Sequence, residues 1–317
     1  MGSKITIIGA GSVGATIAYT LSQEDYVSEI LIIDVLKDKV DGEAMDIAQG
    51  TAFRDPIDVY SGNYEDAVGS DIVIITSGIA RKPGQSRIEL AQTNVNIIKS
   101  IAPQLKKYCP DALFIIVANP VDIMTYAFIK VSGIPEQQVI GSGTLLDTAR
   151  LRYGLSKHFD VAQKNIHAYI FGEHGDTSFV PWSISNIASV PVKEYSQFIE
   201  QKDENMPAFD EEVITNYVRK SGGEIIKRKG ATFYGVTVAV VNLVSMLNAA
   251  SESITTVSTM MHGEYGVDDV CTSCLTIVGP KGVKGKLPVK LEPEEIEKFQ
   301  ASANALKAVI ADLDLSC

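Results

Sequence analysis

The chain has 317 residues, a formal net charge of −11 at pH 7, 45% hydrophobic residues and 21% charged ones. That length supports two sub-domains around a shared core. The acidic balance speaks against a nucleic-acid partner, which needs a basic face, and no apolar run reaches the roughly 18 residues of a membrane span.

The opening Met-Gly-Ser-Lys leads straight into a strand, so no signal peptide is expected and the cytoplasm is the default location. Lys4-Ile-Thr-Ile-Ile8 is the first buried strand. Gly9-Ala-Gly11-Ser-Val-Gly14 follows it and opens a helix from Ala15 to Ser22. A second strand, Glu29 to Ile33, ends at Asp34, and Val40 to Gln49 reads as helix. Further strands are expected at Asp71 to Thr76 and Ala112 to Val117, with helix between them from about Leu90 to Lys107. Val139 to Gly143 is expected to be the last strand of this sheet. Near-continuous apolar strands alternating with helices predict a Rossmann doubly wound parallel sheet, the α/β class.

The second half predicts a mixed α+β substrate domain. A helix from about Leu145 to Leu155 precedes a strand, His167 to Phe171, and the polar turn Gly172-Glu-His-Gly-Asp176. Helical patterns cover about Asp210 to Lys227 and Ser245 to Thr259. Strand returns at about Val270 to Val278, and an amphipathic helix, Glu294 to Leu313, closes the chain behind Pro293. The boundary falls near residue 143, giving a dinucleotide-binding unit over 1–142 and a substrate unit over 143–317.

The glycine-rich turn carries the first functional signal because it follows a strand and opens a helix. Gly9 permits the tight turn, Gly11 lets backbone approach a pyrophosphate, and Gly14 lets helix and strand pack. Asp34 lies twenty positions beyond Gly14. A carboxylate there accepts bonds from ribose hydroxyls and repels a 2′-phosphate, which selects NAD over NADP. Of the four cysteines, Cys271 and Cys274 form a C-x-x-C without further ligands at zinc spacing, so packing thiols are expected and no metal.

Asn119-Pro-Val-Asp122, Asp147-Thr-Ala-Arg150, Gly172-Glu-His-Gly-Asp176 and Arg81-Lys-Pro-Gly-Gln-Ser-Arg87 occur in order along the chain. Together they resemble the L-lactate/malate dehydrogenase superfamily, and the body is most similar to its bacterial L-lactate branch. The chemistry follows from the residue types. Reducing a 2-oxo acid needs a hydride donor, a proton donor, a group that polarises the carbonyl, and an anchor for the carboxylate. His174 exchanges a proton near neutral pH, and Arg150 offers a planar fork for a carboxylate. Asp147 and Arg150, three apart, share one helix face.

The resemblance implies the rest. It pairs His174 with Asp147 and has Arg87 close on a lid at about 80–90 to polarise the carbonyl. It also assigns Arg81, Asn119 and Thr232 to the substrate. Beyond Gly9, Gly11, Gly14 and Asp34 it implies cofactor contacts at Ser12, Val13, Lys39, Tyr64, Gly78, Val117, Asn119 and Ser142. Arg152 stands about 200° around the helix from Arg150 and needs another task. With His167, seven residues before His174, it matches the fructose 1,6-bisphosphate site that bacterial lactate dehydrogenases carry between subunits. A homo-oligomer, with a tetramer favoured, is implied as well. Trp182 is expected to pack beside the site.

The substrate stays open between pyruvate/lactate and oxaloacetate/malate. Arg81 stands where lactate enzymes of the family carry glutamine and malate enzymes arginine. Closed over pyruvate it would be poorly paired, at a cost of several kcal/mol on the order of magnitude, whereas a second carboxylate would neutralise it. The lactate-like body, Thr232 and the effector pair point the other way. A non-catalytic NAD-binding protein would not need His174, Asp147, Arg150 and Arg87 together. An NAD-dependent glycosidase would bring metal ligands and a sugar pocket.

Overall fold

The computed structural model describes residues 2–79, 87–202 and 207–316, with the backbone alone at Arg87. Arg81 and the side chain of Arg87 lie outside the described residues. Helix begins at Arg87, so the end of the segment expected as lid is helical.

Six strands come from the first half: β1 (Ser3–Ile8), β2 (Val27–Ile33), β3 (Asp58–Ser61), β4 (Ile72–Ile75), β5 (Leu113–Ile116) and β6 (Val139–Gly141). They run parallel in the order β6-β5-β4-β1-β2-β3. Helices α1 (Ser12–Leu21), α2 (Lys37–Gly50), α3 (Arg87–Tyr108) and α4 (Val121–Ser132) make the crossovers. The order reverses between β1 and β4, the place where open α/β sheets receive ligands.

The second half holds α5 (Leu145–Phe159), β7 (Ile166–His167), β8 (Asn186–Ile187), β9 (Val190–Pro191), α6 (Val192–Glu200), α7 (Glu211–Lys229) and α8 (Tyr234–Asn248). They are followed by β10 (Ser253–His262), β11 (Asp268–Gly279), β12 (Gly282–Lys286) and α9 (Pro293–Ala311). β7, β8 and β9 form a small antiparallel sheet.

Three expectations need correction, the first being the strand over His167–Phe171, which is only the two-residue β7 with an isolated bridge from Phe171 to Phe179. The strand at 139–143 does not end the large sheet. β10 pairs antiparallel with β6 through Ser258 and Gly141, and β11 and β12 extend the sheet to nine strands among the described residues. Gly141 permits this approach, because a Cβ there would lie 2.9 Å from the Ser258 Cβ and 2.3 Å from Thr125 Oγ1. The helix expected over Ser245–Thr259 stops at Asn248. Thr255, Thr256, Val257 and Thr259 are β-branched and pair with β11 instead, Thr255 opposite Thr276 and Val257 opposite Cys274.

Strand parity sorts the core into two layers. Ile5, Ile7, Ile30, Ile32, Ile72 and Ile74 face α1, α2 and α8. Ile8, Leu31, Ile33, Val73, Ile75, Phe114 and Ile116 face α3, α4 and α9. Each fully buried side chain contributes about 1.5–3 kcal/mol. Both layers also take residues from the second half: Leu243, Val257 and Val278 in one, Met260, Cys271 and Phe299 in the other. Cys271 and Cys274 are buried free thiols on β11, and burial raises the pKa of each. Trp182 packs edge-on against Phe209 at 5.6 Å in a third cluster around α5 and is not among the residues lining the cleft described next.

Candidate active site

A cleft of about 450 Å³ opens at the C-terminal ends of the parallel strands. Its lining includes Gly78, Val117, Asn119, Ser142, Asp147, Arg150, His174 and Thr232. The elements explain this gathering. β4, β5 and β6 deliver Gly78, Asn119 and Ser142 at their tips, α5 supplies Asp147 and Arg150 from its first two turns, and α7 and α8 close the far wall.

His174 sits on a turn pinned from three elements. Gly172 exchanges two backbone hydrogen bonds with Ser273 of β11, at 3.0 and 3.1 Å. The Glu173 amide donates to Ser302 Oγ of α9 at 2.8 Å, and the His174 amide to Asp122 Oδ2 of α4 at 2.7 Å. Gly172 adopts φ +90°, a conformation that disfavours side chains.

The Asp147 carboxylate bridges the two cationic groups. Its Oδ2 lies 2.5 Å from His174 Nδ1, and its Oδ1 accepts from Arg150 Nη1 at 2.9 Å. The side chain of Asp147 is 8% exposed against 30% for His174. The charge of Asp147 raises the imidazole pKa to about 9, against the opposing effect of burial. Burial alone would raise the Asp147 carboxyl, but His174 and Arg150 outweigh it and hold the carboxyl below its ordinary range. Two cations on one buried carboxylate form a preset unit; removing either would leave charge poorly compensated.

The nucleotide end lies at β1 and β2. A Cβ on Gly14 would come within 1.8 Å of the Gly9 carbonyl oxygen, so helix and turn touch only because position 14 is glycine. Gly9 has φ +109°. Gly11 is different: its φ is −72° and a Cβ would meet nothing within 4 Å. Neither strain nor packing requires glycine there, and the open space fits close approach of a pyrophosphate. Ser12 begins α1, exposed, and Val13 lines the cleft. Asp34 accepts from the Ala10 amide at 2.6 Å and the Leu36 amide at 2.9 Å. Each oxygen keeps a lone pair for a ribose hydroxyl. Tyr64 is half-buried near Asp34; burial, then that carboxylate, raises its phenol pKa. Lys39 is exposed on α2. These residues fit a dinucleotide lying across the strand tips.

Arg152 faces away from the cleft. Its Nε donates to the Ala168 carbonyl at 3.2 Å and its guanidinium stacks 5.1 Å from the Tyr169 ring centre. Ala168 directly follows the exposed His167 of β7 in the chain. Sequence reasoning missed several residues of the site. Arg219, Gly222 and Gly223 of α7 line the cleft, and no motif marks them. Asp122, behind His174, stood in a quoted motif, and a buried acid in the first turn of a largely apolar helix was the available signal. Among the described residues, no group of His, Cys, Asp or Glu is arranged to hold a metal.

Comparison with known proteins agrees with this geometry. The NAD-binding domain of lactate/malate dehydrogenases matches residues 3–141, and the α/β C-terminal domain of the same family matches residues 144–314. An L-lactate dehydrogenase of Acetivibrio thermocellus is 46% identical over 312 residues, 98% of each chain. L-lactate dehydrogenase 1 of Clostridium acetobutylicum is 47% identical over 305 residues, 96% of each chain. Among solved structures, the minor L-lactate dehydrogenase of Enterococcus mundtii superposes with a TM-score of 0.93 at 35% identity, covering 99% of both chains. A lactate dehydrogenase from a Medee basin deep-sea metagenome library gives a TM-score of 0.92 at 35% identity over 98% of both. Two family domains matched in order, around a cleft that holds the paired histidine and aspartate, place this chain in the lactate/malate dehydrogenase family.

Proposed function

We propose that the protein is an NAD-dependent L-lactate dehydrogenase, interconverting pyruvate and L-lactate. The carrying observation is the Asp147 carboxylate shared between His174 and Arg150 at the base of the cleft. NAD, when bound, supplies or accepts the hydride. His174 donates Nδ1–H to Asp147, which leaves Nε2 to give its proton to the carbonyl oxygen of pyruvate and take it back from lactate. Asp147 stays ionised and stabilises the imidazolium. Arg150 has donors beyond the one spent on Asp147, and these grip the substrate carboxylate. Asn119 and Thr232 orient the substrate from the cleft wall, and Arg87, by family resemblance, polarises the carbonyl from the lid.

The cofactor half of the proposal assigns the turn Gly9, Gly11, Ser12, Val13, Gly14 to the pyrophosphate and Asp34 to the ribose. Lys39, Tyr64, Gly78, Val117, Asn119 and Ser142 are the further contacts. The functional division is residues 1–142 for NAD and 143–317 for substrate.

Arg81 argues for a dicarboxylate, but relatives matched over almost the whole chain are named L-lactate dehydrogenases, so malate is not favoured. NADH consumption with pyruvate and with oxaloacetate tests this. The expected result is a higher kcat/KM for pyruvate, and a His174→Ala variant slower by about 10²–10⁴-fold. A preference for oxaloacetate, or no turnover of either acid, would overturn the reading.

Three finer features belong to the same proposal. Arg152 and His167 form an anion site for fructose 1,6-bisphosphate; an unchanged pyruvate saturation curve in its presence would refute it. The assembly is a homotetramer, supported by exposed Tyr19, Met45, Phe53, Tyr234 and Val238. Light scattering tests it. No helix among the described residues is long and apolar enough to cross a membrane, and we place the protein in the cytoplasm, which fractionation of cells checks.

A further inference from the structure

Asp122 is one of three acids of the four motifs above, with Glu173 and Asp176, that take no part in the proposed reaction, and its carboxylate holds the backbone of the reacting histidine. It is the second residue of α4, 3% exposed, and its Oδ2 accepts the His174 amide at 2.7 Å. Its carboxylate is met by the Ser258 hydroxyl of β10, although neither Oδ1 nor that hydroxyl closes a hydrogen bond of ordinary geometry. A carboxylate buried this deep with so few bonds is expensive, and an asparagine or a serine would hold an amide more cheaply. The first turn of α4 offsets part of the cost through its dipole.

We propose that Asp122 is a positioning residue that acts on His174 both by holding its amide and by placing a second negative charge behind the imidazolium. This rests on the reading of His174 as the proton donor. Two carboxylates then flank His174, Asp147 through Nδ1 and Asp122 through the backbone, and Arg150 opposes them from α5. The groups facing Asp122 are His174 and Glu173 on the turn, Ser258 on β10 and Cys271 on β11. Burial pushes the Asp122 carboxyl up to about 6, with the Ser258 hydroxyl first and then the His174 amide and charge working against it. The second charge is therefore present at neutral pH and withdrawn in mild acid. Asp147 fixes the direction of the ring; Asp122 adds a bias toward the protonated state without occupying a ring nitrogen.

The test separates charge from hold. Asp122→Asn keeps an oxygen for the amide and removes the charge. With selectively labelled histidine in the full-length protein, NMR titration without ligands is expected to place the His174 pKa lower by about half a unit or more. The basic limb of kcat/KM for pyruvate should move to lower pH by the same amount. Asp122→Ala, which removes charge and acceptor, should also lower kcat. An unchanged pKa in Asp122→Asn overturns the charge role, whatever acid proves to be the substrate. If the variants do not fold, the wild-type protein still decides. The chain has four histidines, and the His174 amide signal should move as pH falls through about 6. A signal that stays still from neutral pH to well below that midpoint would refute the proposal.

Discussion

Gly222 of α7 faces the Arg150 guanidinium: a Cβ at position 222 would stand 3.5 Å from Nη2. That is ordinary van der Waals contact. Alanine therefore fits and removes a mid-helix glycine, for a gain of about 0.5–1 kcal/mol. A higher Tm with KM for pyruvate nearly unchanged is expected for Gly222→Ala. Valine would push its γ-carbons against the guanidinium and displace the clamp. Steady-state kinetics should then show kcat/KM lower by about tenfold, or about 1.4 kcal/mol.

The raised His174 pKa sets the pH dependence. Reduction of the 2-oxo acid needs the imidazolium, which is fully present below about 9 and lost as pH rises through that value. Oxidation of the hydroxy acid needs the neutral ring, so its rate climbs over the same interval. Asp147→Asn removes the main cause of the shift, and the His174 pKa should fall back toward 6.5. The pyruvate-reduction profile should contract to the acid side, with kcat lower by about 10²–10⁴-fold. A profile that keeps its basic limb would contradict the pairing.

Gly14→Ala places a methyl within 1.8 Å of the Gly9 carbonyl oxygen. Backbone cannot yield as a side-chain tip can, so the turn and α1 must separate. A loss of about 1–3 kcal/mol in stability, measured by urea denaturation, is expected together with weaker NADH binding. Gly11→Ala meets nothing in the protein. Its stability should hold while NADH binding, read by fluorescence titration, declines.

Asp34 spends one lone pair on Ala10 and one on Leu36. Asp34→Ser removes the charge that repels a 2′-phosphate. The ratio of kcat/KM for NADPH to that for NADH should rise by about tenfold or more. An unchanged ratio would mean that another group reads the ribose.

Most of the fold was legible because its strands are buried on both faces. Ile5, Ile30, Ile72 and their neighbours form apolar runs that few other architectures require, and glycine spacing located the turn. Pattern alone did not resolve the second half. β10 follows α8 with little change of composition, and only its partner β11 tells Thr255–Thr259 to extend. The site was legible where residues share a helix, as Asp147 and Arg150 do. It was not legible where contact is made across the fold: Asp122 and His174 are 52 positions apart, joined by one amide. The α7 glycines escaped notice because a residue with no side chain marks a cavity only once its walls are known.

The hairpin that joins the far edge of the nucleotide sheet has a mechanical consequence. Prying the halves apart would mean tearing a single ladder and opening two shared hydrophobic layers at once. Among the described residues the two halves share one sheet and two core layers, so any motion of one half against the other has to strain both. Under hydrogen exchange, amides of β1 and β10 should open together, in one cooperative event rather than two.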